Sequence, residues 1–282
     1  MGRITTSRQV LRLGVPTAGE RPDTLVVEEP LEIRVGGRPM SVTMRTPGND
    51  FDLAAGFLVS EGVVSEARHL RAIRYCAGAR GAGENTYNVL DVGLAADVAA
   101  PAPSLERAFY TTSSCGLCGK ASLEAVRTTA RWSVADDPLV IDPEVISAMP
   151  DRLREAQEVF ERTGGLHGAA LFDGHGRLLC LREDVGRHNA VDKVVGWALR
   201  EGALPLRGSV LLVSGRASFE LTQKAWMAGI PALAAVSAPS SLAVDLALEA
   251  GMTLIGFLRG RTMNIYAGAQ RVREHPSPVE AG

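Results

Sequence analysis

The chain has 282 residues, 46% of them hydrophobic and 22% charged, which is ample for a buried core and long enough for two domains or one large one. Thirty basic side chains stand against 32 acidic ones, a net charge of −2, which argues against a phosphate-tracking nucleic-acid binder while leaving a local anion site open. Four cysteines are too few for a disulfide scaffold in a chain of this size. No apolar run of signal-peptide length opens the sequence and none approaches the roughly 18–20 residues of a membrane span, so a cytoplasmic protein with no membrane partner is expected.

Residues 1–23, mixed in charge and broken by Gly14, Pro16 and Gly19, read as a flexible arm. Residues 24–141 then read as a smaller, strand-rich N-terminal α+β domain. Leu31–Val35 and Met40–Thr46 flank Gly36-Gly37, a hairpin signal. Asn49 or Asp50 can cap a helix whose Phe51, Leu53, Ala54, Phe57 and Leu58 share one face. Two more strand candidates follow at 70–76 and 86–94, then a surface connection at 95–104.

Asp142-Pro143, an N-cap and first-turn pair, opens helical segments running to about Thr163. Beyond Gly164-Gly165 a second hairpin is predicted, with strands at 169–173 and 177–181 around Asp173-Gly174-His175-Gly176. Helices at 188–201, 218–228 and 241–250 then alternate with strands at 209–214, 231–237 and 252–258, the grammar of βαβ units on a sheet covered on both faces. The fold class expected is therefore α/β, with a mixed-sheet, layered domain at 142–274. Its element order resembles the cytidine-deaminase fold in shape. Residues 275–282 read as a flexible tail.

The segment Thr111-Thr112-Ser113-Ser114-Cys115-Gly116-Leu117-Cys118-Gly119-Lys120 carries the clearest chemistry. A helix is predicted just after it, so both thiols precede a helix N-terminus, where partial positive charge and Lys120 favour the thiolate. A thiolate is the species that attacks another sulfur, and a second cysteine three residues on could resolve the product. Half of a structural zinc site and a thioredoxin-like redox pair are the competing readings. No second Cys-x-x-Cys exists, and Cys76 and Cys180, isolated in predicted strands, read as inert core cysteines. Zinc-deaminase chemistry lacks its parts: none of the five histidines is followed two residues later by Glu, and Ser114 stands where a proline would precede Cys115.

Four segments are placed by the predicted order at strand ends, where helix N-termini present unpaired N–H groups. They are Glu183–Asn189, Ser214–Ser218, Ser237–Ser241 and Phe257–Thr262. Arginines in three of them and small hydroxyl residues suit phosphate oxygens. Residues 257–273 hold Arg259, Arg261, Arg271 and Arg273 and no acidic residue. Neither a Walker A loop nor G-x-G-x-x-G is present, which disfavours an ATPase or a dinucleotide dehydrogenase. His167 and His188 read as structural or ligand-edge histidines, His188 being the one beside an arginine.

Taken together, TTSSCGLCGKAS, REDVGRHNAVDKVVGWAL, SGRASFELTQKAWMAGIPALAAVSAPSSLAVDLA and GMTLIGFLRGRTMNIYAG resemble the formate dehydrogenase accessory sulfurtransferase family, FdhD, over roughly residues 24–273. The resemblance implies a sulfur carrier that accepts persulfide sulfur from a cysteine desulfurase. It would pass that sulfur to the molybdenum cofactor, Mo-bis(molybdopterin guanine dinucleotide), before insertion into apo-formate dehydrogenase. By the same resemblance Cys115 is the persulfide-forming cysteine and Cys118 its partner. Phe257, Leu258, Arg259, Gly260, Arg261 and Thr262 are the cofactor-binding stretch, the protein is a homodimer, and it holds no metal of its own. The alternative is a cofactor-binding chaperone that delivers its cargo without covalent sulfur transfer. A zinc-bound interaction module is the third reading.

Overall fold

The computed structural model describes residues 4–14, 19–76, 87–99, 101 and 129–273. Cys115 and Cys118, with the helix predicted after them, lie outside the described residues.

The first element overturns an expectation. The arm contains β1 (Thr5–Arg12) and β2 (Gly19–Val26), paired antiparallel from Thr5↔Val26 to Arg12↔Gly19. Both strands are largely exposed, so neither has the apolar–polar alternation that would reveal it. Backbone pairing alone defines them.

A second sheet, in the order β4-β3-β6-β5, holds β3 (Glu29–Val35), β4 (Arg38–Arg45), β5 (Leu70–Tyr75) and β6 (Val89–Leu94). Gly36 and Gly37 both adopt positive φ (57° and 81°) at the β3–β4 turn, as a two-residue hairpin loop of the primed kind requires. Between β4 and β5 runs α1 (Asp50–Ser60), buried along nearly all its length. Asn49 precedes it in the left-handed conformation and makes no side-chain cap. Asp50 instead takes a buried ion pair with Arg45 at 2.9 Å.

The six-stranded sheet has the order β12-β11-β10-β9-β7-β8. β7 (His167–Asp173) pairs antiparallel with β8 (Leu178–Asp184) and with β9 (Ser209–Val213). β9, β10 (Ala232–Ala235) and β11 (Thr253–Arg259) are mutually parallel, and β12 (Thr262–Ala267), which the sequence reading missed, returns antiparallel along the edge. The helices are α2 (Pro143–Ala156), α3 (Glu158–Thr163), α4 (Arg187–Arg200), α5 (Phe219–Met227) and α6 (Ser241–Ala250). Asp142 precedes α2 as predicted, but its carboxylate pairs with Arg273 at 3.1 Å and does not cap the helix.

Alternation along the central strands explains the layering. Leu211, Val213, Leu233, Ala235 and Leu254 point into a core shared with α1, α4, α5, α6 and the four-stranded sheet. Val210, Leu212, Ala232, Ala234 and Ile255 point the other way, onto Leu139, Ile141, Ile146, Met149 and Leu153. Residues from both sides of the predicted boundary near Asp142 thus share the larger core.

Helices α1 and α4 make the joint between the two sheets. A Cβ at Gly56 would lie 1.8 Å from the carbonyl oxygen of Asp192, and one at Gly196 would lie 1.8 Å from that of Asp52. Only glycine lets the two backbones approach so closely. Around this crossing, Asp52 pairs with Arg182 (3.0 Å) and with Arg200, Asp184 with Lys193 (2.7 Å), and Asp192 with Lys224 (2.8 Å).

Candidate functional site

Because β8, β9, β10 and β11 all run in one direction, their carboxyl ends lie along a single edge of the sheet. The four segments singled out from the sequence meet there. Ser214 and Gly168 exchange hydrogen bonds across that edge: the Gly168 N–H donates to Ser214 Oγ (2.9 Å), and the Ser214 N–H donates to the Gly168 carbonyl (3.0 Å). The Ser240 N–H reaches the Ala217 carbonyl at 2.9 Å, and the Phe257 N–H reaches that of Ser237 at 3.2 Å. A Cβ at Gly256 would sit 2.8 Å from Pro239 Cδ, so this glycine lets the last two segments touch. Ser218 caps α5 and Ser240 caps α6, each accepting a backbone N–H on Oγ (3.4 and 3.2 Å).

The side chains at this edge separate into structural and available groups. Asp184 is fully buried, pairs with Lys193 and accepts from Gly186 N–H (2.8 Å) and Asn189 Nδ2 (3.0 Å), so it holds the turn. Glu183 caps α3 through the N–H groups of Val159 (3.1 Å) and Phe160 (2.8 Å). Arg187 differs: its Nε is buried with no hydrogen-bond partner. Its guanidinium lies close enough to His167 and Glu220 to shift both. Burial first, then the neighbouring Arg187 and His188, hold His167 below the usual histidine range. His188 donates to Glu220 at 2.6 Å and keeps that carboxyl low.

The segment Phe257–Thr262 forms the β11–β12 turn. Gly260 adopts φ +52° in the two-residue loop between the paired Arg259 and Thr262, and Thr262 Oγ1 donates to the Arg259 carbonyl at 2.9 Å. Phe257, Arg259, Arg261 and Thr262 are exposed. Leu258 is fully buried among the residues facing α2, so only its backbone is open to a ligand. Arg271, counted in the basic stretch, is buried and donates to the carbonyls of Val134 (2.6 Å) and Ala135 (2.7 Å), a structural role. Among the described residues Arg259 takes part in no ion pair, and Arg261 comes only within 3.9 Å of Glu144. The orphaned Arg187 nitrogen, the arginine-bearing turn and the serine-capped helix starts fit a phosphorylated ligand.

One group of residues escaped the sequence reading. Beneath the crevice, on the α1 side, a cavity of about 220 Å³ is lined in part by Ser60, Glu61, Asp192, Glu220 and Lys224. Ser60 Oγ donates to Asp192 at 2.7 Å. Burial, with the nearby charges of Asp192 and Glu220, pushes the Glu61 carboxyl up against the opposing pull of Lys224. The signal was Asp192 and Lys224 set among apolar residues such as Val191, Val194, Ala225 and Trp226, but which charge each one met was not legible.

Of the other two cysteines, Cys180 is the core strand residue the sequence suggested, whereas Cys76 falls just after β5 and is not in the core. Cys180 is buried in β8, and desolvation pushes its thiol up to about 12; Cys76 is partly buried. In native protein at neutral pH, iodoacetamide should therefore leave Cys180 unmodified until denaturant is added. Rapid labelling of Cys180 in the folded state would contradict its placement. Among the described residues no cluster of His, Cys, Asp and Glu could hold a metal ion, and no helix is long and apolar enough to cross a membrane.

The model of the FdhD/NarQ family matches residues 26–273. The chain belongs to the FdhD/NarQ family. It is 67% identical over 273 residues to the sulfur carrier protein FdhD of Streptomyces avermitilis, covering 96% of this chain and 97% of the relative. It is 62% identical over 270 residues to that of Mycolicibacterium paratuberculosis, covering 96% and 99%. Among solved structures, a putative formate dehydrogenase accessory protein from Desulfotalea psychrophila superposes with a TM-score of 0.73 at 22% identity. That match covers 96% of this chain and 100% of the other, and it shows that the two proteins share one α/β fold.

Proposed function

We propose that this protein is a sulfur carrier for formate dehydrogenase, which takes sulfur as a persulfide on Cys115 and passes it to a molybdenum cofactor held at the strand-end crevice. The observation that supports the crevice half is the convergence of four loop segments on one sheet edge, with the Arg187 nitrogen unpaired behind them. Family membership supports the sulfur half.

In the first step the Cys115 thiolate attacks the outer sulfur of a cysteine desulfurase persulfide. The donor S–S bond breaks, the donor leaves as a thiolate, and Cys115 keeps the S–SH. In the second step Cys118 thiolate attacks the Cys115 sulfur and releases hydrosulfide, which the metal takes up. The Cys115–Cys118 disulfide left behind is returned to dithiol by a cellular thiol. The cargo is Mo-bis(molybdopterin guanine dinucleotide), whose pyrophosphates suit Arg187, Arg259 and Arg261. A homodimer with deaminase-like domains, working in the cytoplasm, belongs to the same reading.

A guanine-nucleotide titration of the full chain tests the crevice. Arg259→Ala should weaken GDP binding by about tenfold, as loss of a charge-assisted hydrogen bond does. The deficit should shrink as salt is raised, because part of it is screened charge attraction. Equal affinity of the two proteins at low salt would reduce the exposed arginines to ordinary solvated side chains.

A further inference from the structure

The ribbon of β1 and β2 is the part of the molecule with no core of its own. Its strands pair along their whole length, yet none of their residues is buried. A lone two-stranded ribbon is marginally stable in water, so one without a buried face gains stability from whatever covers it. At about 3.3 Å per residue, its tip stands roughly 23 Å from its base. Leu11 and Leu13, near that tip, are 64% and 70% exposed, more than any other large apolar side chain among the described residues.

The base of the ribbon is rooted at the crevice rim. Val26, at the end of β2, packs on the loop before β7, where a Cβ at Gly165 would lie 3.1 Å from Val26 Cγ1. Ile4, just before β1, reaches the loop after β4, where a Cβ at Gly48 would lie 3.9 Å from Ile4 Cδ1. That second loop holds the crevice segment Glu183–Asn189. The Thr46 N–H donates to Asp184 (3.2 Å) and the Val185 N–H to Thr46 Oγ1 (3.2 Å). Any protein that takes a ligand out of the crevice approaches this rim and comes within reach of the ribbon.

Successive strand residues alternate between faces, and cross-strand partners share one. Arg8, Arg12 and Arg21 therefore stand on one face, together with Val10 and Leu25 and with Asp23 as its only acidic residue. Arg8 donates to Thr6 Oγ1 and to the Ser7 carbonyl (both 3.0 Å), and among the described residues none of the three arginines takes part in an ion pair. All of the ribbon but Val26 precedes the start of the family match, which sets it apart from the machinery the family shares.

We propose that the ribbon docks the protein that receives the cofactor, apo-formate dehydrogenase, with its arginine face on an acidic surface and Leu11 and Leu13 in an adjoining apolar patch. Position selects this occupant, because the receiver is the partner that must come to the crevice rim. The proposal rests on reading the crevice as the place from which the cofactor is handed over.

The test titrates the full-length protein against immobilised, cofactor-free formate dehydrogenase at low and at raised salt. Arg12→Glu combined with Arg21→Glu should weaken binding by about tenfold at low salt, with a deficit that shrinks as salt is raised. Leu11→Ser combined with Leu13→Ser should weaken it by about as much, with a deficit that salt does not relieve. Both variants should keep the wild-type affinity for GDP and the wild-type gain of sulfur on Cys115, which also shows that they are folded. Unchanged binding by either variant overturns the docking role, and so does a wild type that does not bind the apo-enzyme. A variant whose mass by light scattering differs from wild type gives the ribbon to a second copy of this chain. Binding of wild type, but of neither variant, to phosphatidylglycerol vesicles gives it to a lipid surface. Each of those results removes the assignment to formate dehydrogenase. The sulfur-carrier reading is judged separately, by GDP affinity and sulfur gain, which the ribbon does not enter.

Discussion

Cys115→Ala protein, incubated with a cysteine desulfurase and free cysteine, should gain no reducible sulfur by intact-mass analysis, whereas wild type should gain the mass of one sulfur atom that dithiothreitol removes. The sharpness of this expectation comes from the rest of the cysteine inventory. Burial pushes the Cys180 thiol up to about 12, away from the thiolate form that attacks sulfur. The same burial keeps any donor protein from reaching it. Apart from Cys76, which is partly buried in the described structure, Cys118 is the only thiol left to substitute. A Cys115→Ala variant that still acquires a sulfur released by reductant would remove Cys115 from the mechanism. The functional arm separates carrier from chaperone. If the variant acquires no sulfur yet supports full maturation of formate dehydrogenase, delivery without sulfur transfer is the correct reading.

Gly196→Ala should lower the stability of the fold by about 3 kcal/mol or more, among the larger effects available to a single added methyl group. The new Cβ would lie 1.8 Å from the Asp52 carbonyl oxygen and 2.6 Å from the Gly56 nitrogen, both backbone atoms of a helix buried on nearly all sides. No side-chain rotation can relieve that contact, so α1 and α4 must separate. Separation loosens the ion pairs of Asp52 with Arg182 and Arg200 and the hydrogen bond from Ser60 to Asp192, which tie α1 across this joint. Breaking a buried pair is itself strongly destabilising. Gly56→Ala should behave alike. Gly19→Ala is the control: a Cβ there meets nothing within 4 Å and its φ is not in the left-handed region, so its urea midpoint should match wild type. A Gly196→Ala protein unfolding at the wild-type urea concentration would show that the helices are not in backbone contact. The joint also has a functional side. His188 stands at the start of α4 and Ser60 and Glu61 at the end of α1, so a shifted crossing displaces the cavity and the crevice edge together.

The parts of the fold that could be read from the chain are those whose signal is local. β9, β10 and β11 are buried on both faces and appear as uninterrupted apolar runs; the helices between them carry capping serines where the structure uses them. The Gly36-Gly37 turn announces itself because only glycine takes two successive positive φ values without strain. The gathering of four loop segments at one edge followed from the βαβ order alone, since right-handed crossovers bring parallel strands back with the same ends together.

What the chain did not announce depends on partners far away in sequence. β1 and β2 have no buried face and β12 is a short, mostly exposed edge strand, so their existence is decided by which backbone lies beside them. Asp192 and Lys193 are adjacent in one helix, yet one meets Lys224 and Ser60 and the other meets Asp184 and the Thr46 carbonyl. Charges at helix positions ordinarily face water, and only the packing of α4 between α1, α5 and the sheet buries these and selects their counterions. The same holds for Gln157, an unremarkable residue between two helices until β7 closes over it and leaves its amide without an acceptor. Sequence by itself supplied the cysteine pair and the strand-end arginines, because nucleophilic capacity and charge belong to the residue. Tertiary structure decided which polar groups are satisfied and which are left unpaired, because satisfaction belongs to the pair.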